Sequence, residues 1–231
     1  MIRFISTFIL ISFIMFGACT LQDGGETQET KKVARKKTKV VKRVPAVCIW
    51  DGGSVREGPT AKADWVSSLA LGEQVTWLGI SEPDSTNEER IYHRIELSDS
   101  TTGWASEYVL AIGAEPAVVK TPTPLFRRPD LITVTEKELE PLDFLAILES
   151  DGKWVRVVGK ENKKKGWIKL ESVSIIEEDV AVGVLVNKAL AIDEREKRLE
   201  RLQTIIDNPV FASSTFIDDV RNIYREQREN D

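Results

Sequence analysis

From Val47 to about Ile176 the chain alternates between short apolar runs and turn residues. Val75-Thr76-Trp77-Leu78, Tyr92 to Leu97, Phe144 to Leu148 and Trp154 to Val158 are rich in β-branched and aromatic residues, with apolar positions recurring every second residue. That period is the mark of half-buried strands. Regularly spaced turns without intervening helical stretches predict a small barrel or sandwich. After Ile176 the period lengthens. Leu185, Ala189, Ile192, Leu199, Leu202 and Ile206 fall on one face of a helix predicted from Glu178 to Asp207, which Asn208-Pro209 stops. Thr215-Phe216-Ile217-Asp218 has the spacing of a capping box, followed by a stripe of Phe216, Val220, Ile223 and Tyr224. The tail is therefore expected to be a helical hairpin over 178–231. Short amphipathic helices usually bury their face within their own chain, so its expected task is to cover the second strand-rich half. The other use for such a face is docking another protein.

The strand-rich region contains the same order of landmarks twice. Val55-Arg56-Glu57-Gly58-Pro59 is answered by Leu125-Phe126-Arg127-Arg128-Pro129, and Leu71-Gly72-Glu73-Gln74-Val75 by Leu139-Glu140-Pro141-Leu142-Asp143. Tyr92-His93-Arg94-Ile95 is answered by Trp154-Val155-Arg156-Val157, and Gly103-Trp104-Ala105 by Gly166-Trp167-Ile168. This succession of Val-Arg-x-Gly-Pro, a Leu-x-x-Gly turn, an aromatic strand with Arg, and Gly-Trp resembles the bacterial SH3-like domain. The resemblance implies a mainly β chain of two tandem small SH3-like barrels, at 45–113 and, in divergent form, 114–177. The second copy has Arg128 in place of Gly58, and Pro141 where Gly72 stands in the first. Trp104 and Trp167, fixed points of the repeat, are expected in the core. Ser81 to Arg90 reads as an acidic, polar loop inserted in the first copy only.

The N-terminus has a different pattern. A basic start, Met1-Ile2-Arg3, precedes the apolar run Phe4 to Phe16 and then Gly17-Ala18-Cys19. Such a run is too short for a permanent span, which needs roughly 20 apolar residues, and its small-residue end has the form of a secretory signal. The cysteine after the small residues resembles the bacterial lipobox, with Phe16 where Leu is usual. That resemblance implies a signal peptide of residues 1–18 and acyl chains on Cys19. It places the protein in the bacterial cell envelope, lipid-anchored, with the outer membrane expected. Two or more chains hold a protein stably on a membrane.

Charge separates the next segment from the rest. Residues 20–44 carry eight Lys or Arg against three acids, while the chain from Pro45 onward carries 23 basic and 34 acidic residues. Residues 19–44 thus form a basic tether to an acidic body. As a solvated coil the tether acts as a spacer; near an anionic leaflet it adds about 1 kcal/mol per cation. Nucleic acid is not an expected partner for the acidic body, because phosphate binding relies on a positive face.

The chemistry-bearing residues are few. Beyond Cys19 there is one cysteine, Cys48, flanked by Val47, Ile49 and Trp50, and this setting predicts a buried structural thiol. The single histidine, His93, falls in a strand pattern and is expected to be partly buried. No His, Cys and carboxylate cluster has metal-ligand spacing, and no glycine-rich phosphate loop is present. No catalytic residue, metal or cofactor is therefore expected. By the resemblance, the modules recognise a peptidoglycan or protein ligand through aromatics outside the Gly-Trp pair. Trp50, Trp65 and Tyr92 are the candidates, with Arg56 placed to pair with a peptide carboxylate. Core or inter-domain packing is the competing use for both Trp50 and Trp65. Docking of the tail in an envelope protein complex is the alternative function.

Overall fold

In a computed structural model, the structure describes residues 43–229. The expectations for the leader, for Cys19 and for the tether up to residue 42 lie outside the described residues.

Seven strands make the first sheet: β1 (Val44–Cys48), β2 (Gly53–Arg56), β3 (Trp65–Leu69), β4 (Gln74–Asp84), β5 (Asn87–Glu96), β6 (Thr102–Ser106) and β7 (Leu110–Ile112). Seven more make the second: β8 (Glu115–Val119), β9 (Thr123–Phe126), β10 (Val134–Leu139), β11 (Phe144–Asp151), β12 (Trp154–Gly159), β13 (Gly166–Lys169) and β14 (Val173–Ser174). The spatial orders are β3-β2-β6-β5-β4-β1-β7 and β10-β9-β13-β12-β11-β8-β14. Adding seven to each strand of the first order gives the second, and the pairings are antiparallel throughout.

The internal repeat extends to single hydrogen bonds. In the turn before β4, Gly72 N–H donates to Cys48 O at 2.8 Å and Cys48 N–H to Glu73 O at 2.8 Å. Before β11, Leu142 N–H donates to Val119 O at 2.9 Å and Val119 N–H to Asp143 O at 3.0 Å. The counterpart of Gly72 is thus Leu142, not Pro141. Both have a left-handed backbone, with φ of 79° and 69°. Glycine takes that conformation freely, whereas leucine is strained in it. Asn187 Nδ2 donates to Leu142 O at 2.8 Å and helps hold it there.

The glycine of each Gly-Trp pair is required by close approach. A Cβ on Gly103 would lie 2.4 Å from Val55 Cγ1 and 3.0 Å from Arg56 O; one on Gly166 would lie 2.8 Å from Phe126 O. Trp104 is buried and Trp167 half-buried, so the second tryptophan is less enclosed than a core position predicts.

Residues 81–90 are not a loop. β4 and β5 extend through them as a hairpin, with Glu82 paired to Tyr92, Pro83 to Ile91 and Asp84 to Asn87. Asp84 makes the turn by accepting Thr86 N–H and Thr86 Oγ–H, each at 2.8 Å. Acidic composition concealed a strand whose two faces are both largely exposed at its tip.

The tail forms three helices: α1 (Glu177–Leu190), α2 (Arg195–Asp207) and α3 (Ile217–Glu229). The helix predicted over 178–207 is broken at 191–194, where Arg198 Nη1 donates to Ile192 O at 2.7 Å. Good helix formers on both sides of the break masked it. Thr215 does not close a capping box: its hydroxyl donates to Asp179 Oδ2 at 3.0 Å. Ser214 Oγ at 2.8 Å, Thr215 N at 2.9 Å and Ser174 Oγ at 2.6 Å also donate to the buried Asp179 carboxylate. One side chain on α1 thereby ties the segment before α3 to β14.

Alternation places the core. On β1, Ala46 and Cys48 face a cluster with Val55, Leu69, Val75 and Ile95. Val47, together with Ile49 just beyond the strand, faces the opposite way into a second cluster with Val118, Phe144, Val182, Val186, Leu202 and Phe216. β11 divides likewise, with Leu145 and Ile147 turned into the second sheet's own cluster and Phe144 and Ala146 into the shared one. Strands buried on both faces have unbroken apolar sequences, as Val44 to Cys48 does. Phe144 and Phe216, each about 2% exposed, contribute about 1.5–3 kcal/mol apiece through burial. α1 and α2 thus pack against residues of both sheets.

Candidate functional site

Alternate residues of three adjacent strands wall a cavity of about 420 Å³ in the first sheet: Ser54 and Arg56 on β2, Ser106 on β6, and Arg90 and Tyr92 on β5. Trp50, from the turn between β1 and β2, and Tyr108 and Val109, from the 3₁₀ turn after β6, complete it beside Ala61. Side chains two apart on a strand share a face, which explains why Ser54 accompanies Arg56 and Arg90 accompanies Tyr92. Tyr92 is 4% exposed and forms the floor, while Trp50 at 41% and Tyr108 at 47% stand at the mouth.

Several bonds fix the walls. Trp50 O accepts from Cys48 Sγ at 3.0 Å and from Gly53 N–H at 3.3 Å. Ile49 O, one residue earlier, accepts from Glu161 N–H of the second sheet's 160–162 turn at 2.7 Å. Arg56 Nη1 donates to Ala63 O at 3.1 Å, holding its guanidinium in place. Arg90 Nε is buried and has no hydrogen-bond partner among the described residues.

Neighbouring carboxylates are committed elsewhere. Asp51 accepts Leu71 N–H at 3.0 Å and pairs with Lys188 at 2.9 Å. Asp84 accepts Ala61 N–H at 3.4 Å as well as its two bonds from Thr86, and the backbone bond from Thr86 is the largest influence holding its carboxyl down at about 2. Glu107 accepts Ile91 N–H at 3.4 Å. Among the described residues, the lining contains two guanidiniums and no carboxylate.

Of the residues singled out from sequence, the structure brings Trp50, Arg56 and Tyr92 together. Tyr92 is buried rather than displayed, because its strand face turns into the cavity floor. Trp65 is not in the lining. It stands opposite Arg56 in the β2–β3 register, is 62% exposed and donates from Nε1 to Ser68 Oγ at 3.3 Å. Arg90 and Tyr108 were not anticipated. Reading Tyr92's alternation back to Arg90 as strand would have found the first, whereas Tyr108 follows only from the 3₁₀ turn.

Two other groups, Cys48 and His93, have reactive side chains. Burial pushes the Cys48 thiol up to about 11, so it stays protonated at neutral pH. His93 Nδ1 lies 2.8 Å from Ser81 Oγ, and burial lowers its affinity for a proton. Ser81 and His93 are cross-strand register partners, and neither lines the cavity.

The second sheet lacks the counterpart of this cation pair. Phe126 holds Arg56's register position, opposite Trp167 as Arg56 is opposite Trp104. Trp154, opposite Lys169, holds the position of Tyr92, opposite Ser106. The Phe126 and Trp154 rings pack edge to face at 4.9 Å, and Lys169 Nζ lies 3.7 Å above the Trp154 ring.

No protein-family model matches the chain, and no curated protein does. Among solved structures, NlpC2 from Trichomonas vaginalis is similar at 14% identity over 72% of this chain and 57% of that one, with a TM-score of 0.26. NlpC1 from Trichomonas vaginalis is similar at 14% identity over 64% and 54%, with a TM-score of 0.25. An NlpC/P60 family protein from Bacillus cereus is similar at 16% identity over 63% and 62%, with a TM-score of 0.26. This chain spans between about half and two thirds of the length of those proteins. Likeness at this level carries no weight for chemistry.

Proposed function

We propose that the protein is a membrane-anchored bacterial lipoprotein whose two SH3-like modules act as a non-catalytic binding or scaffolding unit for a cell-wall or protein ligand. Cys19 carries the acyl chains in this reading, and the basic residues between it and β1 form the tether. The observation that carries it is the first-sheet cavity, where Trp50, Arg56 and Tyr92, singled out by sequence for recognition, meet in one concave site of about 420 Å³. Ligand sites are concave and mostly apolar with a few convergent polar groups, and this one adds two guanidiniums, that of Arg56 held by Ala63 O, to three aromatics. The second module supports the first: Phe126 and Trp154 pack on each other at its corresponding place. Docking of an envelope complex through the tail receives less support, since Val182, Val186, Leu202 and Phe216 are already spent in the core shared with both sheets.

Co-sedimentation of the Cys19→Ser chain with insoluble peptidoglycan tests the reading. Retention that falls in a Trp50→Ala, Arg56→Ala double variant is expected. No retention above that of the double variant removes the wall as ligand.

A further inference from the structure

We propose that the first-sheet cavity takes the free carboxylate of a peptide end, with Arg90 and Arg56 holding the oxygens and Trp50 and Tyr108 covering the adjoining apolar side chain. This rests on the binding role proposed above and gives its ligand a chemical class.

The buried Arg90 Nε is the starting point. A charged donor removed from water without an acceptor is costly, and such groups are rare unless a ligand, ion or water completes them. Nε itself is sealed from solvent, but Arg90 as a whole is half-buried, lines the cavity and makes no hydrogen bond or ion pair among the described residues, so its terminal nitrogens are the ones a ligand there would meet. Arg56 supplies a second guanidinium already fixed through Ala63 O at 3.1 Å. The planar forks of both guanidiniums match carboxylate oxygens. Three nearby carboxylates already have donors: Asp51 has Leu71 N–H and Lys188, Asp84 has Thr86 and Ala61 N–H, and Glu107 has Ile91 N–H.

Phosphate shares the oxyanion chemistry, but two features favour a carboxylate. The chain from Pro45 onward has 34 acids against 23 basic residues, a field that disfavours multiply charged ligands while two local cations still accept one charge. The aromatic mouth offers contact to an apolar neighbour, which inorganic phosphate lacks. Phe126 in place of Arg56 limits the site to one per chain.

The test uses the Cys19→Ser chain and three probes followed by NMR titration: N-acetyl-alanyl-leucine as the free acid, the same peptide as its C-terminal amide, and inorganic phosphate. The free acid is expected to bind once per chain. The amide should bind about tenfold more weakly or worse, matching the loss of a charge-assisted pair, and phosphate more weakly than the acid. Arg90→Gln and Arg56→Gln, each checked for an unchanged melting profile, should weaken the free acid by a similar factor, with Arg90→Lys in between. Equal binding of acid and amide, tighter binding of phosphate, or full binding by both Gln variants overturns the proposal. Failure of the wall reading is separable. A chain that binds the free acid but is not retained on peptidoglycan keeps the carboxylate site and loses the wall. A chain retained on peptidoglycan with no preference for the acid does the reverse.

Discussion

Arg56 and Phe126 hold the same register position in two sheets of identical strand order, one facing Trp104 across the strand pair and the other Trp167. The guanidinium leaves an open, charged cavity beside Tyr92, whereas the phenyl ring packs edge on against Trp154. At this place the first sheet has an open cavity lined by cations and the second a packed pair of aromatic rings. Phe126→Ala should destabilise the chain by about 3 kcal/mol, as truncating a buried aromatic does, and lower the melting temperature by roughly 6–12 °C. Ligand retention at a temperature where the variant is folded should be unchanged. Calorimetry paired with peptidoglycan co-sedimentation reads both.

The four aromatic and cationic candidates divide by position. Trp50 stands at the cavity mouth and Trp65 outside the lining, so Trp50→Ala should weaken ligand binding by about tenfold or more, in the range of an interface anchor. Trp65→Ala should change it by less than about twofold. Titrations of the two variants side by side check this, and equal losses would place the ligand on the open sheet face instead.

Asp84 makes acid stability depend on the extended hairpin. The backbone bond from Thr86, and after it the hydroxyl bonds from Thr86 and Thr60 and the backbone bond from Ala61, outweigh burial and hold its carboxyl at about 2 against an ordinary 3.8. A depressed value stabilises the fold fully above pH 4, and that contribution is lost as pH falls from 3.8 through 2. Asp84→Asn should therefore lower the melting temperature at pH 7 and at pH 5, and match the parent near pH 2. A deficit that persists unchanged at pH 2 would assign Asp84 a packing role alone.

Asp179 governs the helical tail. Burial opposes its ionisation, but bonds from Ser174, Ser214 and Thr215 prevail and keep the carboxyl below its usual range. Asp179→Ala removes the acceptor of four bonds and should cost about 2–4 kcal/mol. Hydrogen exchange should rise first in α3 and in the segment before it. Uniform exchange across both sheets and all helices would contradict a local tether.

The strands were legible wherever alternation coincided with burial on one face, as from Trp154 to Val158. The repeat was legible because Gly103 and Gly166 cannot carry a Cβ without striking Val55 or Phe126 O. What the sequence concealed has physical causes. At residues 81–90 most side chains on both faces of the hairpin meet solvent, so no apolar period marks the strands, and Arg90 was lost with them. The break between α1 and α2 lies among helix-forming residues, and packing against two sheets, not propensity, sets it. Thr215 has a capping spacing, but the buried Asp179 competes for its hydroxyl and wins. Leu142 occupies a glycine's conformation, so matching residue types alone shifted the repeat at that turn.

The most direct measurement is the shift of the indole N–H signals of the tryptophans in an NMR titration of the Cys19→Ser chain with soluble peptidoglycan fragments. The Trp50 signal is expected to move most and saturate, while those of Trp154 and Trp167 stay in place. Movement centred on Trp154 and Trp167, or none at Trp50 while fragments bind, would contradict it.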